Sequence, residues 1–232
     1  DAFVKGDNLT INNDSGRLQA GNILNINSYS ITENGHLEAD KIRLNLQSNF
    51  NTKRDINAGT ELTINTFGNI TNNHKLSAEK HLNLNAQNMD NQKNGRLSSA
   101  ETRVTAKGKV TNRGLINSFS DADDSKTVIK ATHIDNVGSG RIYGDHVALQ
   151  ADKIENRDEK NTSDEINSAT IAGRQKVVLA GKEIINDTTI YEKDKKGGST
   201  IYSGGRIEFG ARLNANDEAN GKADVLRNKS SI

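Results

Sequence analysis

The chain of 232 residues contains no cysteine and no proline, and aromatic residues make up only 4% of it. The absence of cysteine excludes a disulfide framework and every metal or redox site that uses a thiolate. Proline has no amide hydrogen to donate to a β-ladder, so its absence is compatible with long, continuous sheets. A hydrophobic content of 32% is low for a two-layer globular fold and indicates a thin core.

Charge and hydropathy exclude two further classes of protein. The formal net charge is +1 at pH 7 and the cations are balanced locally by Asp and Glu, so nothing favours a nucleic-acid partner. No segment approaches the roughly 18 apolar residues of a membrane span. Residues 1–14 lack the basic and apolar regions of a signal peptide, so we expect a fragment that begins within a repeat of a longer protein.

A repeat of about twenty residues extends over the whole chain. Each copy has Gly or another small residue, then apolar-x-small, apolar-x-apolar and apolar-x-Asn. Two clear copies are GRIYGDHVALQADKIENR at 140–157 and SKTVIKATHIDN at 125–136. A unit this short cannot bury its own apolar face, so successive units must stack. We therefore expect residues 1–232 to form a single repeat domain.

The spacing within each copy predicts three short strands per coil. In the apolar-x-apolar segments every second residue is apolar, and side chains with this period point to one face of a strand. The residues predicted to point inward in one stack include Leu62, Ile64, Leu82, Leu84, Val147 and Leu149. The chain is therefore predicted to be all-β, a right-handed parallel β-helix of about ten coils that forms a rod on the order of 50 Å long.

An asparagine recurs at one corner of the coil, two residues after an apolar residue in every copy but the first. Its positions are Asn34, Asn72, Asn91, Asn112, Asn136, Asn156 and Asn186. Asparagine tolerates a left-handed backbone, and stacked asparagine side chains can hydrogen-bond to one another. We predict an asparagine ladder along the axis, with Asn34 one residue late. The alternative is a set of unrelated surface asparagines in an Asn-rich chain.

The later coils carry insertions at 119–126, 157–168 and 187–198, all rich in charged residues. Insertions in a solenoid project from one side and often carry recognition. The same composition is also typical of solvated loops without a function. Both interpretations fit the sequence.

Two segments resemble ligand sites only superficially. Asp121, Asp123 and Asp124 could offer carboxylates to Ca²⁺, but Lys126 stands where an EF-hand loop needs Gly, and the calcium-binding Gly-rich repeat is absent. The segment KDKKGGST at 193–200 has its glycines after its lysines, the reverse of a phosphate loop. We expect a charged loop in the first case and a hairpin or loop tip in the second.

The histidines show no metal-binding or catalytic spacing. They are His36, His74, His81, His133 and His146. No His-Glu-x-x-His or His-x-His pair occurs, and His81 and His133 each precede an inward apolar residue, so they should face outward. We predict no catalytic, cofactor-binding or metal-binding residue and no cofactor.

A polysaccharide lyase or hydrolase is the enzymatic alternative, because several such enzymes are β-helices. Glycosidases need two carboxylates about 5 to 10 Å apart. The outward residues of the second strand in successive copies are expected to be Arg43, Thr63, Asn83, Thr105 and Ala148. These residues include no row of Asp or Glu, so the chain is predicted not to be an enzyme.

Three stretches carry a family resemblance: GRIYGDHVALQADKIEN, ATIAGRQKVVLAGKEIIN at 169–186, and residues 199–232. With the other rungs, they resemble the repeats of filamentous-haemagglutinin-like exoproteins of Gram-negative bacteria. These are the secreted members of two-partner secretion systems and include effectors of contact-dependent growth inhibition. The resemblance covers essentially the whole chain, without the family's secretion domain or a toxin domain. The family's repeats are structural, so no site residue is carried over.

The resemblance implies a secreted protein at the bacterial cell surface, exported through an outer-membrane transporter. We therefore expect a non-catalytic structural stalk of an adhesin or toxin-delivery exoprotein that positions a distal receptor-binding or toxin region. The alternative is a module that binds a target-cell receptor or glycan through its late loops. A polysaccharide-acting β-helix enzyme is the third and less favoured interpretation.

Overall fold

The computed structural model of the protein describes residues 1–119, 125–163, 165–188, 190–192 and 195–232. Within these ranges every regular element is a β-strand and no helix occurs. In chain order the strands are β1 (Ala2–Asn12), β2 (Arg17–Gln19), β3 (Ile23–Glu33), β4 (His36–Glu38), β5 (Lys41–Leu46), β6 (Phe50–Asn51), β7 (Ile56–Asn57), β8 (Glu61–Thr66), β9 (Ile70–Asn72), β10 (Lys75–Ser77), β11 (His81–Ala86), β12 (Met89–Asn91), β13 (Arg96–Ser99), β14 (Glu101–Ala106), β15 (Lys109–Asn112), β16 (Leu115–Ser118), β17 (Lys126–Lys130), β18 (His133–Val137), β19 (Arg141–Gln150), β20 (Lys153–Lys160), β21 (Ile166–Ser168), β22 (Thr170–Ala180), β23 (Glu183–Asp187), β24 (Ile190–Glu192), β25 (Lys195–Lys196), β26 (Thr200–Ser203), β27 (Arg206–Gly210), β28 (Arg212–Leu213), β29 (Ala219–Asn220) and β30 (Val225–Asn228).

The strands stack as a parallel solenoid with three sides. The second side is the most regular, and its neighbouring strands are β1, β3, β5, β8, β11, β14, β17, β19, β22 and β27. The third side stacks β6, β9, β12, β15, β18, β20, β23 and β30, and the first side includes β7, β10, β13 and β16. The chain therefore returns to the same side once per coil, which confirms the predicted three strands per coil.

The solenoid has about seven turns, slightly fewer than the ten coils predicted. The difference lies at the ends of the stack, where coils lack one or more of the three strands. Among the described residues no first-side strand precedes β1, for example. The parallel, all-β fold class is as predicted.

One apolar column fills the interior of the solenoid. The six residues predicted to point inward are all buried and belong to one continuous cluster. Buried and half-buried residues alternate along β5 and β8, as the period of a strand requires. Burying each of these aliphatic side chains contributes about 1.5 to 3 kcal/mol, which drives one coil to pack on the next.

The predicted asparagine ladder is present, and we call it the inner ladder. Each Nδ2 donates to the Oδ1 of the next asparagine, with N···O distances from 2.8 to 3.0 Å. Its members are Asn72, Asn91, Asn112, Asn136, Asn156, Asn186 and Asn228. Of these, Asn228 was not predicted. None of them has a positive φ, so the left-handed backbone considered for this corner is not used.

Asn34 was predicted to belong to the ladder, and that prediction is wrong: it stands apart from the inner ladder, one residue late in its coil. The ladder position of its neighbouring coil is taken by Thr52, whose hydroxyl donates to Asn72 Oδ1 at 3.0 Å. The Asn34 side chain turns to the corner backbone and accepts from the amide of Lys53 at 2.8 Å. It therefore closes a turn instead of joining the stack.

Many copies of the repeat open with a glycine, because the backbone at this position passes close to the side chains of the inner ladder. A Cβ on Gly95 would overlap the side-chain oxygen of Asn91, and a Cβ on Gly140 would overlap that of Asn136. Only a residue without a side chain fits beside a buried amide at this corner.

Candidate functional site

The outward surface of the second side carries three parallel rows of residues, because alternate residues of each strand point away from the core. The charged row is Lys41, Glu61, His81, Glu101, Lys126, His146, Lys176 and Arg206. The middle row is Arg43, Thr63, Asn83, Arg103, Val128, Ala148, Val178 and Glu208. The third row includes Asn27, Asn45, Asn65 and Asn85, which we call the amide row, and Lys5 on β1 precedes them.

The predicted middle row contains one error. Arg103, and not Thr105, lies beside Asn83, while Thr105 aligns with Asn85. The misalignment arises because Thr102 occupies an inward position that is apolar in the preceding coils, although Thr127 occupies it in the next one. Thr102 is fully buried, and its hydroxyl donates to the backbone oxygen of Asn117 at 2.7 Å.

Two carboxylates lie in the charged row. The prediction from the sequence considered carboxylates in the middle row and did not consider those in the charged row. Glu61 and Glu101 are separated by the strand that carries His81, so their strands are about 10 Å apart. Each carboxylate lies beside an arginine: Arg43 is 3.6 Å from Glu61, and Arg103 is 2.5 Å from Glu101. The acids therefore form lateral ion pairs along the sheet.

In its later coils, the second side is covered by the hairpin β28–β29. The middle row becomes apolar there, and Val128, Ala148 and Val178 are buried beneath Leu213 and Ala219 in a second small core. Ala148 was predicted to face outward and does leave the main column. It is nevertheless fully buried, because the hairpin crosses over it. This second core was not anticipated.

Charges clamp the hairpin to the sheet. Asp217, at the hairpin turn, has a φ of 60° and is buried. Its carboxylate lies 2.8 Å from Arg103 and 3.7 Å from Lys130. The ammonium of Lys176 contacts Glu218 at 2.7 Å. We call residues 211–220 the clamp hairpin.

His146 lies in the charged row near the clamp hairpin. Its Nε2 is buried and has no hydrogen-bond partner among the described residues. Burial lowers the pKa of His146, and the neighbouring ammonium groups of Lys176 and Lys126 lower it further; Asp217 acts in the opposite direction. The site therefore favours a neutral imidazole.

In its early coils, the second side is open, and the amide row is its most regular feature. Asn45 Nδ2 donates to Asn27 Oδ1 at 2.6 Å, and the same bond recurs at 2.8 Å from Asn65 to Asn45 and from Asn85 to Asn65. The first three amides are half-buried and Asn85 is exposed. The amide row was not predicted, although the sequence shows an Asn at the same position of the second-side strand in each of these coils.

A groove of about 490 Å³ runs beside the amide row. The amides form one wall, the corner residues Gln47 and Phe67 the other, and Leu46 and Ala86 contribute to the floor. Phe67 is 77% exposed, the highest value among the large apolar residues described. It stands at a corner position that is Gln or Lys in neighbouring coils.

The insertion at 157–168 is partly anchored to the third side. Arg157 makes two hydrogen bonds of 2.9 Å to Asp135, and Glu159 makes two with Arg113, at 2.7 and 2.8 Å. Burial would raise the pKa of Asp135, but bonds from Arg157 and Lys109 outweigh it and hold this pKa below its usual value. The hydrogen bonds from Arg113 likewise lower the pKa of Glu159. The first residues of this insertion are therefore anchored to the body of the solenoid.

The remaining candidate residues are scattered. Asp121, Asp123 and Asp124 lie outside the described residues. Within the segment at 193–200, Lys195 and Lys196 form β25, which pairs antiparallel with β24, as expected for a hairpin; residues 193 and 194 lie outside the described residues. His81 is exposed and His133 is half-buried against Glu155 at 2.6 Å. In the described part of the chain, no three His, Asp or Glu residues gather as a metal site would require.

No family model, no curated protein and no solved structure matches this chain. Among the described segments, no helix is long and apolar enough to cross a membrane.

Proposed function

We propose that the chain is a non-catalytic stalk segment of a secreted cell-surface exoprotein, an adhesin or a toxin-delivery protein. Its role is to hold a distal receptor-binding or toxin region away from the cell. The observation that carries this proposal is axial continuity: one apolar column and the inner ladder pass through successive coils. In such a solenoid, added coils increase the length without changing the fold.

The architecture also fits export through an outer-membrane transporter, the partner that the resemblance implies. Successive strands such as β5, β8 and β11 pair in register with the strand one coil away. A chain that emerges from a pore can therefore fold each new coil onto the coil before it, without contacts to distant segments. The clamp hairpin is an exception, because Asp217 closes onto Arg103 at a separation of 114 residues.

The stalk proposal is tested by changing the number of coils in the exoprotein that contains this segment. Duplicating residues 73–91 adds one coil in register, because Asn72 and Asn91 occupy equivalent ladder positions. We expect surface display and attachment to target cells to persist. A control that duplicates only residues 73–82 adds half a coil, shifts the register and should abolish display. Loss of display with the in-register duplication would refute the stalk.

A second arm separates a stalk from a module that binds through its late loops. Replacing residues 161–165 with a Gly-Ser turn removes the loop tip of the 157–168 insertion and keeps the anchoring side chains of Arg157 and Glu159. A stalk retains attachment to target cells. Loss of attachment with normal display and an unchanged circular dichroism spectrum would favour the binding module.

A further inference from the structure

The open groove beside the amide row is an elongated surface with two chemically different walls. It extends from Gly6 and Asp7 in the first coil to Thr105 on β14 and Lys107 directly after that strand. At about 4.8 Å per strand, this distance corresponds to about 24 Å along the axis. We infer that the groove binds a linear, neutral glycan that lies parallel to the solenoid axis.

Hydrogen-bonding capacity is the first argument. An asparagine side chain offers two N–H donors and an oxygen with two lone pairs. In the amide row, Asn65 donates one N–H to Asn45 and accepts one from Asn85. A donor and a lone pair therefore remain on Asn65, whereas Asn45 also makes a long hydrogen bond of 3.5 Å to Asn25 Oδ1. Sugar hydroxyls both donate and accept, so they match this combination, and the four amides repeat it at the spacing of the coils.

Phe67 supplies the second argument. Its ring projects from the opposite wall and is 77% exposed. The faces of pyranose rings present C–H groups, and these pack on the negative face of an aromatic ring. A binding site that combines an apolar surface with a few oriented polar groups is the usual form of a small-molecule site. The amide row and Phe67 together fit the hydroxyl edge and the C–H face of one sugar chain.

Charge and backbone pairing argue against other occupants. The charged residues that line the groove are Asp7 and Lys107, which stand at its opposite ends, so its centre is neutral. A polyanion gains little from such a surface. An extended peptide binds a sheet by adding a strand to a free edge. The described strands β3, β5, β8 and β11 are each paired on both sides, so this groove offers no edge.

The experiment is a titration of the 232-residue chain with cellohexaose, maltohexaose and chitohexaose, followed by NMR and calorimetry. We expect at least one of these neutral hexasaccharides to bind and to shift the side-chain amide signals of Asn45, Asn65 and Asn85. Phe67→Ala should weaken this binding about tenfold, and Asn65→Ala should weaken it severalfold.

Matched controls come from elsewhere on the surface. Tyr202 is an exposed aromatic residue on β26, at 59% exposure, and Asn57 on the first side is bonded to Ser77 at 2.6 Å. Tyr202→Ala and Asn57→Ala should leave the affinity unchanged. The inference is overturned if no neutral hexasaccharide binds at millimolar concentration, or if Phe67→Ala binds as tightly as Tyr202→Ala. Tighter binding of a hyaluronan hexasaccharide, which is anionic, would also overturn it.

Discussion

Two long stacks of asparagine side chains run along this solenoid, the inner ladder and the amide row; elsewhere an Nδ2-to-Oδ1 bond joins Asn88 to Asn69 at 2.9 Å. Both stacks use the same Nδ2-to-Oδ1 bond from coil to coil. In the inner ladder the second N–H also has a partner: Asn136 donates to the backbone oxygen of Thr170, and Asn156 to that of Thr200, both at 3.0 Å. In the amide row, Asn65 and Asn85 each donate only the ladder bond within the described structure.

Burial explains this difference. A buried amide must have all its polar groups paired, since an unpaired group costs free energy that water no longer offsets. An amide at the surface can leave one donor to solvent at no such cost. Asparagine stacked in the same way is therefore structural in the buried inner ladder and available to a ligand in the amide row at the surface.

The apolar column fixes the register of both stacks, and the largest expected effect comes from breaking it. Leu84 is buried between Ile64 and Val104 of the neighbouring coils. Leu84→Ala should lower the free energy of unfolding by about 2 to 5 kcal/mol through lost burial and a cavity. Urea denaturation measures this value. An unchanged midpoint would contradict the stacked-coil account itself.

Removing one member of the inner ladder should have the next largest effect. Asn156→Ala leaves Asn186 Oδ1 without its donor and Asn136 Nδ2 without its acceptor. The expected loss is about 1 to 3 kcal/mol of unfolding free energy. Asn161→Ala is the control, because among the described residues the Asn161 side chain bonds within its own loop, to residues 163 and 165. Equal stability of the two variants would remove the ladder from the account.

A smaller, pH-dependent effect is expected at His146. Its pKa is lowered in the folded state, so this histidine contributes full stability above its unfolded pKa and loses it as the pH falls through the folded pKa. The charged groups facing it are Lys126, Lys176 and Asp217. The protein should be less stable to urea at pH 5.5 than at pH 7.5. The part of this change due to His146 should vanish in His146→Gln; an identical pH profile for that variant would exclude the effect.

The smallest effect should come from the amide row. Asn65→Ala exposes no buried polar group, so it should change the free energy of unfolding by no more than about 0.5 kcal/mol. Urea denaturation beside Asn156→Ala provides the comparison. A loss as large as that of Asn156→Ala would mean that the amide row holds the fold together and is not free for a ligand.

Local periodicity predicted the strands, the inward residues and most of the inner ladder, because each follows from the spacing within one coil. Asn228 was missed because both the insertion at 187–198 and the clamp hairpin lie between it and Asn186, so the two asparagines are 42 positions apart. The buried state of Ala148 was missed for a related reason. It depends on a segment more than sixty residues away, and no repeat pattern encodes where an insertion folds back.

The open groove was also beyond sequence reasoning, which placed recognition in the late insertions. Phe67 stands at a corner where other coils carry polar residues, and only the register of β3, β5, β8 and β11 shows that the amide row lies across the groove from it. An exposed aromatic residue at a polar position of a repeat is the signal that could have indicated it.

The central claim, that burial separates two chemically identical asparagine stacks, is tested most directly by hydrogen exchange of side-chain amides, measured by NMR on the folded protein. The Nδ2 hydrogens of Asn112, Asn136 and Asn156 should exchange slowly, since the two hydrogens of each side chain are both bonded within the core. Those of Asn65 and Asn85 should exchange rapidly. Equal protection of the two sets would contradict the account.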